Sequence, residues 1–286
     1  MKSSLPTTSH ARKLAAERTI SPRDLDLDIP RSIPRYWFGG EAYGTHLMNA
    51  FSLVFPPGER FFMDAVRHFR AEVRDPALLA QIRGFCGQEA LHSREHKVMN
   101  EWLSSFGIDA NGIEQRIGAE IAHRRSQRTP MEDLAVTCAL EHFTALMAES
   151  WLRAPELRAL APEPIRSLWT WHAIEELDHK SVAFDVYRAV GGDERMRLRV
   201  MVRITIGFIL GISLMHIGMM RKDGTFDRPR DVLRGWFRYW GPRGTFTRQI
   251  PAYLRYFRRD FHPWETDSRP LIAAAEREIA AARRAA

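Results

Sequence analysis

Two ExxH motifs, Glu89 to His92 within QEALHSREH and Glu176 to His179 within EELDH, restrict what this chain can fold into. A spacing of three puts the carboxylate and the imidazole on one side of a helix. Glu141 lies in CALEHF between apolar neighbours, and Glu59 follows PPG. The chain order is therefore Glu, ExxH, Glu, ExxH, each from a different helical stretch. Two divalent ions roughly 3.5 to 4 Å apart need several anionic oxygens to offset their charge and a neutral nitrogen each. Four carboxylates and two imidazoles, one Glu from each of two helices and a Glu-x-x-His from each of two others, meet that need inside a four-helix bundle. Buried without metal, the same carboxylates have to take up protons or open the core. A single ExxH is commonplace and usually a solvated helix face; two of them, each following an apolar-flanked Glu, are a stronger pattern.

Apolar residues recur at three and four over long windows and strand patterns are scarce, which predicts an all-α chain. The fold expected is a ferritin-like four-helix bundle with additional C-terminal helices. The first helix is expected over 46–73, interrupted by Pro56 and Pro57, with PPGE restarting it so that Glu59 lies near a helix start. The second runs over 76–106, capped by Asp75 and stopped by Gly107. A polar, basic connector fills 111–128. The third helix follows Thr129 and Pro130 to about position 153, and the fourth runs from 164 to Gly191-Gly192. The organisation read from these signals is a mobile polar leader over 1–33, a dimetal bundle over 34–192 and an apolar helix with a basic-aromatic extension over 193–286.

That extension opens with ITIGFILGISLMHIGMM, 204–220, which carries no formal charge and is bracketed by arginines and a lysine. It is short for a bilayer span, so three readings stand: a helix buried in the protein or in a homodimer interface, a helix facing a bilayer surface, and a span. Gly207 and Gly211 permit close helix approach. From 228 to 259 arginines interleave with aromatics, as in an inward-packed amphipathic wrap or a membrane-surface element; no recognition motif accompanies the charge, so nucleic acid is not the expected partner. The net charge of +7 does not choose among anionic partners. Two cysteines without a CxxC, Cys86 and Cys138, and a leader without an apolar core are expected of a cytoplasmic protein, with contact to the inner membrane face left open.

His172 precedes Glu176 by one turn, giving HxxxExxH. In this motif and in the order of the others, from Glu59 to His179, the sequence resembles the p-aminobenzoate and chloramphenicol-precursor arylamine N-oxygenases. These are ferritin-like di-iron enzymes whose fourth helix also carries HxxxExxH. The resemblance implies seven metal ligands, Glu59, Glu89, His92, Glu141, His172, Glu176 and His179, and two Fe ions, with Mn or a mixed Mn/Fe pair as alternatives. It also implies O2 and an electron donor, and an apolar or aromatic substrate is expected if the C-terminal helices deliver it from a membrane. The whole chain, with PRYWFGG near its start and FHPWE near its end, also resembles a bacterial family named "predicted metal-dependent hydrolase". Three functions follow: oxidation of a small molecule with O2, hydrolysis by a metal-activated water, or a non-catalytic iron-binding or metal-stabilised interaction protein.

Other side chains have competing readings. His96, one turn past His92, is read as an outer partner of the centre, a ligand or unrelated packing. Asp178 is read as an outer carboxylate, and Glu175 as the partner of an arginine. Cys86 and Cys138 read as small core thiols, His142 as packing, and Trp169, Met147, Phe85 and Phe143 as core or as walls of an apolar channel.

Overall fold

A computed structural model describes residues 8–285, with side chains described over 9–280. Its helices are α1 Thr8–Ala16, α2 Ala42–His68, α3 Pro76–Ser104, α4 Ala110–Arg125, α5 Pro130–Arg153, α6 Pro155–Arg158, α7 Ile165–His179, α8 Val182–Ala189, α9 Glu194–Lys222, α10 Pro229–Trp240, α11 Ile250–Arg255 and α12 Arg269–Ala285. The described residues contain no strand, and the chain is all-α. α2 packs on α3 and α5 on α7, while contacts of α2 with α5 and of α3 with α7 close a four-helix core. The boundary signals act where expected: Asp75 Oδ1 accepts from Ala77 N at 2.9 Å, and Thr129 with Glu132 forms a capping box ahead of α5.

The expected interruption of the first helix does not occur. α2 runs through Pro56 and Pro57, so Glu59 sits well inside it rather than near a start. Proline cannot donate to the carbonyl four residues back, which leaves Ser52 O without its helical partner. Asn100 of α3 supplies the replacement, donating from Nδ2 to Ser52 O at 3.1 Å. The fourth helix, by contrast, is broken, into α7 and α8. At the break Lys180 turns to the C-terminal segment, where Nζ donates to Thr266 O and Ser268 Oγ, each at 2.8 Å.

The mobile leader is also corrected over the described residues 8–33. α1 buries Ala11, Leu14 and Ala15 against Trp264. The chain after it straps the seam of α3 and α7: Gln81 donates to Ala15 O, Gln88 to Ser21 O, and Trp171 Nε1 to Arg23 O. Gly84 and Gly87 make the close approach possible, since a Cβ would lie 2.3 Å from Ile20 O at the first and 2.5 Å from Pro22 Cγ at the second. Local sequence reads this segment as polar; its anchors are buried carboxylates and amides far away in the chain.

α9 is not a buried helix. By length and composition it is apolar enough to cross a membrane. It packs one side on α2 and α5 through Phe208, Ile212 and His216 and leaves the other exposed.

Candidate metal centre

Glu59 from α2, Glu89 and His92 from α3, Glu141 from α5, and His172, Glu176 and His179 from α7 converge at the middle of the bundle, none more than 3% exposed. Potential ligand atoms of Glu89, His92, Glu176 and His179 lie within 4.8 Å of one another, and so do those of Glu59, His92 and His172. His92 Nδ1 is 3.8 Å from Glu89 Oε2 and 3.7 Å from Glu176 Oε1. His179 Nε2 is 3.5 Å from Glu89 Oε1 and 3.9 Å from Glu176 Oε1, while its Nδ1 meets Glu141 Oε2 at 3.1 Å. Glu59 Oε2 accepts from Ser93 Oγ at 2.9 Å.

The fit to metal rests on what these atoms lack. Glu59 Oε1, both oxygens of Glu89, Glu141 Oε1, Glu176 Oε2, both nitrogens of His92 and His179 Nε2 are buried without a well-formed hydrogen bond. Buried polar atoms ordinarily find partners, and a concentration of lone pairs facing inward is what cations satisfy. Electrostatics agree. Burial, and then repulsion from Glu141, Glu176 and Glu59, holds Glu89 well above the ordinary carboxylate range. Burial likewise lifts Glu59 well above that range; the Ser93 hydrogen bond opposes this, and repulsion from Glu176 and Glu141 adds to it. Burial raises Glu141 to about 7 although His179 pulls the other way. Burial disfavours the charge on His179, but Glu141 and Glu176 outweigh it and push its pKa up to about 9. Glu176 goes the other way: burial favours its proton, but His179 and the His172 hydrogen bond outweigh this and keep it below the ordinary carboxylate value. Without cations, then, protons on Glu59, Glu89, Glu141 and His179 balance the cluster around an ionised Glu176.

His172 is the third imidazole at this point, 2.9 Å from Glu176 Oε1 through Nε2. Its other nitrogen, Nδ1, meets His96 Nε2 at 2.8 Å; His96 Nδ1 meets Ser52 Oγ at 2.9 Å, and Ser52 Oγ donates to Asn100 Oδ1 at 2.7 Å. The direction of this chain follows from its end. Asn100 must present its NH2 to Ser52 O, so its Oδ1 accepts from the serine hydroxyl, whose lone pair accepts the proton of His96 Nδ1. His96 Nε2 then accepts from His172 Nδ1; without metal a proton lies in the 2.9 Å contact between His172 Nε2 and Glu176 Oε1, and a metal ion in that proton's place would meet the Nε2 lone pair. His96 touches no carboxylate of the cluster among its described hydrogen bonds, and sits behind His172.

A second support stands behind His92. Its Nε2 lies 3.1 Å from Glu175 Oε2, close though poorly aligned for a hydrogen bond. Glu175 Oε1 accepts from Arg23 N at 2.8 Å and approaches Arg23 Nη1 at 3.4 Å. Glu175 thus has the arginine expected of it, and also the place behind an imidazole expected of Asp178. Asp178 pairs instead with Arg18 and, at 2.7 Å, with Arg23. Asp178 thus stands one layer further out and steadies the arginine that holds Glu175. Helical spacing alone placed Glu175 off the face of Glu176, and His92 reaches it across the α3 and α7 seam.

An apolar cavity also reaches the cluster. Phe51, Phe55, Met147, Trp151, Trp169 and Phe246 line it, and His172 and Glu176 close its inner end. Met147 and Trp169 are channel walls; Phe85 packs edge-on to His179 at 4.9 Å, and Phe143 stacks on Phe208 and Tyr253 away from the cavity.

Together the fold and the cluster define an all-helical protein whose core encloses buried His and Glu groups suited to holding metal ions. The chain belongs to the family described as predicted metal-dependent hydrolase, whose profile matches residues 21–267. That span includes the strap from Ser21 onward, the whole cluster, and the segment through Asp267. No curated protein and no solved structure matches the chain.

Proposed function

We propose that this protein is a dimetal carboxylate oxygenase or oxidase of the di-iron type, acting on an apolar or aromatic small molecule. The observation that carries the reading is the apolar cavity ending on His172 and Glu176. Glu59, Glu89, His92, Glu141, His172, Glu176 and His179 would hold two iron ions, with manganese or a mixed pair as alternatives. Bound and reduced by an external electron donor, the pair would supply O2 activation and the oxidising equivalents for the substrate.

The chain's own contributions follow from its geometry. The Asn100, Ser52 and His96 chain keeps the proton on His172 Nδ1 and its Nε2 lone pair on the metal side. Glu175, held by Arg23, stands behind His92 with Oε2 3.1 Å from Nε2 and limits how the imidazole can turn. Phe51, Phe55 and Trp169 exclude water and orient a flat or apolar substrate against the His172 and Glu176 end.

Hydrolysis is the second reading, favoured by the family's description. Its difficulty lies in the cavity. Beyond His172 and Glu176, hydroxyls there come only from Thr144, Ser150, Tyr239 and Thr245, a sparse set for seating an ester or phosphoester beside a leaving group. Ferrous-loaded protein is expected to consume O2 with members of a panel of aromatic amines and alkylbenzenes, and to form no product anaerobically. Turnover of aryl esters by the zinc-loaded protein without O2 would transfer the assignment to hydrolysis.

A further inference from the structure

We propose that the outward face of α9, α10 and α11 docks this protein on an anionic phospholipid bilayer. The three helices are neighbours: Thr205 Oγ1 of α9 bonds Tyr253 OH of α11 at 2.8 Å, and the Tyr43 ring contacts both His216 of α9 and Tyr239 of α10. Each shows large apolar side chains to solvent. On α9 these are Ile206 at 65% and Leu214 at 62% exposed, with Leu210 between them; on α10 they are Leu233, Trp236 and Phe237; on α11, Ile250 and Leu254. So many exposed apolar residues on adjoining helices need a covering surface.

Charge names the occupant. Residues 194–259 hold fifteen Lys and Arg against four Asp and Glu, whereas the whole chain has 42 against 35, so the rest of the molecule is net acidic. The positive charge is thus segregated onto the segment that exposes the apolar side chains. In α10 the two features share one helix: Gly235 and Tyr239 face the bundle, Leu233, Trp236 and Phe237 face outward, and Arg230 and Arg234 follow on the adjoining side, while Arg238 pairs with Glu41 at 2.6 Å. An in-plane amphipathic helix has this layout, with aromatic and aliphatic side chains among the acyl chains and arginines among headgroup phosphates. α9 adds an uncharged outward stripe with Arg203 at one end and Arg221 and Lys222 at the other. Because α9 also packs along α2 and α5, it lies on the bilayer rather than crossing it.

The surface shares residues with the cavity wall, since Tyr239 is in α10 and Thr245 and Phe246 are in the turn after it. A substrate dissolved in the bilayer would therefore have a short way in; that consequence rests on the proposed function, whereas docking does not.

The test uses the full-length protein, metal-free and metal-loaded, sedimented with vesicles of phosphatidylcholine alone or with one quarter phosphatidylglycerol. Binding is expected to be about tenfold tighter to the anionic vesicles and to weaken with salt. Among the described residues Trp236 is the exposed tryptophan, so acyl-chain-brominated lipid should quench its emission, and Trp236→Phe should abolish that quenching. Leu210→Ser with Trp236→Ser should remove binding at unchanged helical circular dichroism, and Arg230→Gln and Arg234→Gln should each weaken it about fivefold. If the serine variant loses helix, the quenching of the unmodified protein decides. Absence of vesicle binding, binding indifferent to lipid charge and to these substitutions, or a stable dimer with Trp236 shielded and no lipid bound would each overturn the proposal. The dimer outcome would indicate a second copy packed along Gly207 and Gly211.

Discussion

Glu141→Gln should have opposite effects on the metal-free protein and on metal binding. In the folded chain burial lifts Glu141 to about 7 against an ordinary value of 4.5. A carboxyl whose folded pKa is raised binds its proton more tightly folded than unfolded. Its contribution is therefore most favourable below pH 4.5 and is lost as the pH rises through 7. A difference of this size corresponds to about 3 kcal/mol. His179, raised to about 9, changes in the same sense between 6.5 and 9. The metal-free protein should accordingly lose stability from pH 5 to pH 8, while Glu141→Gln, which cannot ionise at this position, should lose less, by the part that Glu141 contributes. In urea unfolding after chelator dialysis, the variant should gain about 2.5 kcal/mol on the parent over that interval. Metal reverses the ordering. Metal binding displaces protons held on Glu59, Glu89, Glu141 and His179, so loading the parent near pH 6.5 should release several protons per chain. Titration in buffers of different ionisation enthalpy measures them, and the variant should release fewer and bind metal more weakly. A parent as stable at pH 8 as at pH 5 relative to the variant, together with proton-neutral metal uptake, would refute the account of the cluster as a proton-filled cation site.

Further outcomes follow from individual contacts. Ser52→Ala or Asn100→Leu should free the His96 and His172 tautomers, seen as altered imidazole nitrogen shifts in the metal-free protein, and should weaken metal binding about tenfold. Gly84→Ala puts a Cβ 2.3 Å from Ile20 O, so the strap should lift, limited proteolysis near residues 18–29 should speed up, and stability should fall by about 1 to 3 kcal/mol. Burial lowers His216, whose Nε2 donates to Tyr43 O at 2.9 Å, to about 4. Its folded pKa is depressed, so its contribution is complete above 6.5 and is lost as the pH falls from 6.5 towards 4; His216→Gln should flatten that limb of the acid unfolding curve.

What the sequence disclosed and withheld divides along a physical line. ExxH spacing, apolar periodicity and caps such as Asp75 and Thr129 are short-range, and they placed the carboxylates and imidazoles on helices that do converge. Pairings across the fold have no such local signature. Glu175 looks off-face in α7 because its partner, His92, comes from α3. The strap looks like polar leader because Leu27 N finds Glu95 Oε2 and Arg23 finds Glu175 only once α3 and α7 are packed. Pro56 looks like a helix break because its compensation, Asn100, lies 44 positions further on.

That proline ties the fold to the centre more closely than a local defect would. By freeing Ser52 O it gives Asn100 an acceptor, and that bond fixes which way Asn100, Ser52, His96 and His172 pass their protons. The polar supports, namely this chain and the Glu175, Arg23 and Asp178 group, stand behind the imidazoles, whereas the apolar cavity meets the cluster through His172 and Glu176. Glu89, Glu141 and His179 do not line it. A molecule entering there would meet only the His172 and Glu176 end, so the two ends of the cluster are inequivalent in their access to the cavity. Substitutions at Phe55 or Trp169 should then change which molecules are processed at constant metal content, whereas those at Glu89 should remove the metals themselves. If Phe55→Ala and Trp169→Ala shift metal occupancy as much as Glu89→Ala does, cavity and cluster are not the separable parts that their geometry describes.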